Sequence, residues 1–212
     1  MATHLDDEDD LERLKTWWKD NWIALVGGLV IGFGGIGGWE GYKRWRDGRA
    51  ETASQMYEEM RRGLAEGKTE EAGVIADRLA SEFASTPYAA SAALSLAQTQ
   101  AQAAQWGEAA SRLRWVVDHA DDQGMVQLAR LRLARALFGQ AKHDDALSAL
   151  VGDAGEFASL VEELRGDIQL AKGDKAAARS AYEKALAAAE ASAGNRPLLQ
   201  QKLDDLAVAA QS

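Results

Sequence analysis

The chain has 212 residues, 47% hydrophobic and 27% charged, with 33 acidic against 24 basic groups and a formal net charge of −9. This balance is too apolar for a disordered tail protein and too polar for a polytopic membrane protein, and it lacks the basic stripe that displaces phosphate counterions, so no nucleic-acid partner is expected. The absence of cysteine excludes disulfides and thiolate sites, and two prolines in an Ala/Leu/Glu-rich vocabulary predict an all-α protein.

In chain order, residues 1–20 read as an acidic amino-terminal tail, disordered to amphipathic. The stretch 1–10, with Asp6, Asp7, Glu8, Asp9 and Asp10, is too polar to bury a core. A strongly apolar run without a charged side chain follows, the 19 residues from Asn21 to Trp39. As a helix it would rise about 28 Å, close to the roughly 30 Å hydrocarbon thickness of a bilayer. Trp17, Trp18 and Trp22 flank it on one side and Trp39, Tyr42 and Trp45 on the other, where amphipathic rings anchor at the headgroup level. Its seven glycines would weaken a helix in water, whereas membrane helices tolerate glycine.

The acidic region before the run, its length, and the bulky rings where a cleavage site would lie all argue against a removable signal peptide. Residues 21–39 are therefore predicted as a single transmembrane signal anchor in the lipid bilayer. Gly28 and Gly32, and Gly34 and Gly38, are four apart, which offers a second helix a close approach. Gly32, Gly34 and Gly37 also spell G-x-G-x-x-G, but no strand or βαβ unit surrounds them, so a dinucleotide site is not expected. Residues 40–49 form a basic and aromatic juxtamembrane segment. Arg13, Lys15 and Lys19 before the run nearly balance Lys43, Arg44, Arg46 and Arg49 after it, so the charge rule does not orient the chain.

From residue 50 to 212 the chain is alanine-rich, and breaker signals punctuate helical stretches: Gly67-Lys68, Thr86-Pro87, Gln105-Trp106-Gly107, Gln123-Gly124, Lys142-His143-Asp144, Gly152 to Gly155, Gly173-Asp174 and Gly194 to Pro197. The stretches pair into hairpins. Aligning Ala109, Ala146 and Ala178 gives steps of 37 and 32 residues, around the roughly 34-residue tetratricopeptide period. The last repeat matches best, with Gly166 twelve residues before Ala178 and Tyr182 and Ala185 after it. Ala97 and Ala134, beside Leu96 and Leu133, are the equivalent small residues. Arg165 and Asp153 depart from the pattern, and the hairpin from Ala50 to Ser85 matches poorly.

The predicted fold is thus one transmembrane helix followed by a TPR-like α-solenoid of helical hairpins. Stacked pairs leave their first helices lining a concave groove, where spacing places Leu94, Gln98, Leu131, Arg135, Glu163 and Asp167. Their mixture of apolar and polar groups would suit extended peptide. His4, His119 and His143 cannot be brought together by local spacing, and H-E-x-x-H, G-x-S-x-G and P-loop signatures are missing. No catalytic, cofactor or metal site is expected.

The acidic tail, the W-W-x3-W-flanked glycine-rich anchor, and the runs RLRLARALF (130–138) and LRGDIQLAKGDKAAARSAYEKAL (164–186) resemble the YfgM family, ancillary subunits of the bacterial SecYEG translocon. The resemblance covers nearly the whole chain. It implies a single-pass protein of the bacterial inner membrane with its amino terminus in the cytoplasm and its repeats in the periplasm. It also implies association with the SecYEG translocon and with a membrane-anchored periplasmic chaperone of the prolyl-isomerase type. The residues alone leave open a cytoplasm-facing scaffold that recruits soluble proteins, and a homo-oligomer joined through the glycine face.

Overall fold

A computed structural model describes residues 3–189 and 194–208, with side chains within 11–24, 26–189 and 194–206. Among the described residues there are helices and turns and no strand. The chain divides into two compact units, residues 1–49 and 50–212.

Helix α1, Thr3–Ala65, supplies the described part of the first unit. It begins inside the stretch whose polarity predicted an unstructured tail. Carboxylates at the start of a helix oppose the positive end of its dipole, which favours helix even where no core is available. Within the unit the large apolar side chains stand exposed, Ile31 at 77% and Ile23 and Phe33 at 69%. Polar side chains turn back on their own helix: Asn21 Nδ2 donates to the Trp17 carbonyl at 2.8 Å and Thr16 Oγ1 to that of Glu12 at 2.9 Å.

No single helix among the described residues is long and apolar enough to cross a membrane. The pieces Leu11–Ala24 and Val26–Ala65, bent by 40° against each other, pass that test together by length and composition. The apolar run 21–39 therefore contains the bend instead of forming one straight rod. Gly27 and Gly28 stand two and three residues beyond the break at position 25, and a glycine pair leaves a helix little side-chain packing to keep it straight.

In the second unit the end of α1 shares a core with α2, Thr69–Glu82, through Met60, Ala72 and Ala76; then come α3, Pro87–Gln102, with α4, Trp106–His119, and α5, Gln123–Gly139, with α6, His143–Ala149. A 3-10 turn at Gly155–Phe157 leads into α7, Ala158–Ala171, paired with α8, Lys175–Ala188, and α9, Arg196–Val208, packs on α8. Starts follow local chemistry. Pro87 opens α3, and the Asp122 and Asp174 side chains accept from the Met125 and Ala177 amides at 2.7 and 2.9 Å.

The four hairpins share one turn. Gly67, Ala104, Ala141 and Gly173 each adopt a left-handed backbone, with φ of 77°, 56°, 57° and 85°. The next amide then donates back across the helix end: Lys68 to the Gly63 carbonyl, Gln105 to Gln100, Lys142 to Leu137 and Asp174 to Gln169, at 2.8 to 3.0 Å. This is the Schellman closure, which satisfies carbonyls that a helix end leaves open. Five residues beyond each left-handed position stand Ala72, Ala109, Ala146 and Ala178, all 0% exposed. The register seen in three repeats thus extends to a fourth, the hairpin that matched poorly by sequence.

Volume complementarity explains the poor match. Where the pattern calls for a small residue on the first helix, this hairpin has buried Met60, and the facing position on the second helix has Ala76 in the same core. The middle hairpins pair Ala97 with Leu113 and Ala134 with Leu150 in a second core. The last inverts the first: a Cβ on Gly166 would overlap the Tyr182 ring. Close packing requires that the summed volume fit, and either helix can supply the bulk.

Candidate functional site

The repeat unit carries clefts between consecutive helices. One, of about 440 Å³, opens between α3, α4 and α5 and is lined by Ala97, Gln98, Ala101, Trp106, Arg132 and Arg135 among others. Trp106, the first residue of α4, is held from below. A Cβ at Gly139 would come within 2.8 Å of its ring, and Gln140 Nε2 donates to its carbonyl at 3.1 Å. Arg132 and Arg135 lie one turn apart on α5, and neither has a carboxylate or hydrogen-bond acceptor among the described residues. Burial, and then the charge of Arg135, push the Arg132 guanidinium below its ordinary value.

A second cleft, of about 510 Å³ between α2, α3 and α4, is lined by Glu70, Asp77, Gln100, Glu108 and Arg112, with smaller residues between them. Here the one arginine is already paired, since Arg112 Nη1 donates to Asp77 Oδ1 at 2.6 Å. Gln100 is 8% exposed, and its Oε1 has no partner among the described residues.

The end of the unit is closed. Lys202 of α9 donates to Glu163 Oε1 at 2.9 Å and to Asp167 Oδ1 at 2.7 Å, and it lies 5.4 Å from the Tyr182 ring centroid. The Tyr182 hydroxyl donates to the same Asp167 oxygen at 2.7 Å. Burial, then its bond to Asp167 and the neighbouring carboxylates, raise the Tyr182 pKa above the ordinary phenol range. For Lys202, burial works downward, but the bonds to Asp167 and Glu163 outweigh it and the net shift is upward.

The six residues predicted to line the groove therefore have three fates. Gln98 and Arg135 meet in the α3–α4–α5 cleft. Leu94 and Leu131, at 7% and 1% exposed, belong to the core, because one turn before the contact residue each first helix has rotated inward. Glu163 and Asp167 face α9 through Lys202 in place of an open groove. Sequence spacing missed Arg132 and Trp106. Arg132 was legible as the i−3 neighbour of Arg135 on one helix face, whereas Trp106 read only as a turn signal.

In the first unit, Cβ atoms built on Gly28, Gly32, Gly34 and Gly38 would meet nothing within 4 Å among the described residues, which leaves both glycine pairs open. Trp17, Trp18 and Trp22 are exposed. Trp39, Tyr42 and Trp45 are exposed too and form a stripe along the helix, with ring centroids 6.3 and 6.1 Å apart. Of the histidines, His119 stacks on Trp115 at 4.7 Å, His143 lies 5.6 Å from Phe138, and the His4 side chain is outside the described residues. Among the described residues no three His, Asp or Glu side chains are arranged to hold a metal.

Comparison with known proteins agrees with this architecture. The tetratricopeptide repeat-like domain family matches residues 15–208. An ancillary SecYEG translocon subunit of Escherichia coli is 30% identical over 209 residues, covering 98% of this chain and 100% of the relative. Proteins of the same name from Neisseria gonorrhoeae and Haemophilus influenzae are 29% identical over 97% of this chain and 28% identical over 87% of it. The helical hairpins, their repeat register and this nearly full-length similarity place the chain in the YfgM family, whose relatives are named ancillary SecYEG translocon subunits, with a TPR-like domain.

Proposed function

We propose that this protein is a non-enzymatic, membrane-anchored interaction subunit of the Sec translocon, which links the channel to periplasmic chaperones of the prolyl-isomerase type and assists exported proteins. The observation that carries the reading is similarity to a protein named for that association along 98% of the chain. The exposed apolar helix supports it, because such a surface has no stable place in water. In this reading residues 21–39 span the inner membrane once, in a bent helix. Trp17, Trp18, Trp22, Trp39, Tyr42 and Trp45 sit at its interfaces, and Gly28, Gly32, Gly34 and Gly38 meet a helix of the channel. The amino terminus is cytoplasmic and the repeats, with Gln98 and Arg135 at an open cleft, are periplasmic.

Two measurements test it. Removal of 21–39 is expected to abolish co-isolation with SecYEG in mild detergent, and unchanged recovery would reject the association. The cysteine-free chain also allows single labels at Lys15→Cys and Lys175→Cys, with a membrane-impermeant maleimide on intact cells. Labelling at Lys175→Cys alone is expected. Labelling at Lys15→Cys alone would favour instead a cytoplasm-facing scaffold that recruits soluble proteins, a reading to which the balanced basic flanks lend support.

A further inference from the structure

We infer that the α3–α4–α5 cleft binds a polypeptide segment that carries a carboxylate beside an apolar side chain. The inference deepens the proposed function and rests on it only in taking the ligand to be polypeptide. Its starting point is an imbalance. Residues 50–212 hold 24 acidic and 17 basic groups, so a cation there is expected to find a carboxylate. Arg78, Arg112 and Arg179 each do, with Glu82, Asp77 and Glu183. Arg132 and Arg135 find none among the described residues, although they lie on a single helix turn where like charges repel. The half-buried Arg132 is kept from water as well, and a bound anion would relieve both costs.

The rest of the lining says what sort of anion. Ala97, Ala101, Leu113 and Ala136 form an apolar wall with the Trp106 ring, and Gln98 and Gln102 bring amides that can pair with a peptide backbone. A guanidinium presents two parallel N–H groups that match the two oxygens of a carboxylate. A volume of about 440 Å³ accommodates one or two side chains. The excess of acid over base across the unit repels polyanions and anionic bilayers at long range, which favours a single carboxylate on an otherwise apolar segment.

The test uses the full-length protein in neutral detergent and a fluorescein-labelled, carboxyl-amidated peptide with one aspartate among leucines and serines, with its asparagine counterpart, read by anisotropy. The aspartate peptide is expected to bind at least about tenfold more tightly, as charge-assisted hydrogen bonds exceed neutral ones. Arg132→Gln and Arg135→Gln are each expected to weaken it about tenfold, and Arg135→Lys to recover only part of the loss. Equal affinity for the two peptides on the unaltered protein would overturn the inference without reliance on any variant. Unchanged aspartate-peptide binding by a folded Arg132→Gln/Arg135→Gln double variant would overturn it too. Phosphatidylglycerol vesicles that displace the peptide from the unaltered protein, in an arginine-dependent way, would reassign the site to a lipid headgroup. Intact peptide selectivity together with failed co-isolation with SecYEG would reject the proposed function and leave this site standing.

Discussion

Ala104 and Ala141 occupy a backbone region that costs an L-residue about 1 kcal/mol or more, while Gly67 and Gly173 fill the equivalent places without strain. Ala104→Gly and Ala141→Gly are therefore expected to raise stability by about 0.5–1 kcal/mol each, measured as the urea midpoint. Gly173→Ala should lower it by a similar amount. At Gly166 the constraint is spatial: Gly166→Ala drives a methyl into the Tyr182 ring and is expected to cost about 1–3 kcal/mol. Glycine at 166 and tyrosine at 182 were legible as a pair because the repeat pattern joins them. Alanine does not advertise a left-handed turn, so its role at 104 and 141 appears only in the fold.

The Tyr182 and Lys202 shifts act in one direction of pH. In the unfolded chain the phenol ionises from about pH 10, whereas the folded state keeps it protonated, so stability falls as pH rises beyond that point. Lys202, raised as well, contributes stability that is complete below its ordinary value and is lost as pH climbs through its folded value. A thermal-stability profile should decline above about pH 10, and Tyr182→Phe should flatten part of that decline. An identical alkaline decline in Tyr182→Phe would contradict the assignment.

Among the elements, α6 is the short second helix, seven residues against 14 in α4 and α8. The loop that replaces its missing turns is fastened to α5: Arg130 Nη1 donates to the Val151 carbonyl at 3.4 Å, Gln127 reaches Asp153, and Asp153 Oδ1 accepts from the Gly155 amide at 3.0 Å. The glycines of 152–155 announced a break there, and the hydrogen bonds explain why a shortened pair still stacks. Helix α9 is the opposite case. Nothing local links Lys202 to Glu163 and Asp167, 39 and 35 residues away, so those carboxylates read as free groove residues. Lys202→Met is expected to leave two partly buried carboxylates without their cation and to cost about 1–3 kcal/mol. Hydrogen exchange should then rise first in α9, and an unaltered exchange pattern there would show that its apolar contacts suffice alone.

For the whole molecule, the composition of the first 49 residues and of the remainder describes two different solvents. The first unit exposes Ile, Val, Phe and Trp side chains, while the second buries Ala and Leu faces between neighbours and keeps its charges outward. Gly28→Leu with Gly32→Leu fills open space on α1 without touching any described neighbour, so thermal stability of the repeats should stay the same. If those glycines meet another helix, recovery of SecYEG should fall; if they join two copies, the size on native separation should shift.

By itself the sequence determined what local periodicity and conformational preference can encode: helix from the apolar run onward, breaks at the glycine turns, the register of Ala109, Ala146 and Ala178, and an apolar run with no soluble core to enter. The tertiary structure alone decided which polar residues remain available. Glu163 and Asp167 are taken by a distant lysine, Leu94 and Leu131 turn into the core, and Arg132 and Arg135 of α5 join Gln98 of α3 with no counterion among the described residues. The physical reason is range. A helix or turn follows from neighbours within a few residues, but whether a charge is free depends on every segment that folds back against it, and no local pattern records that.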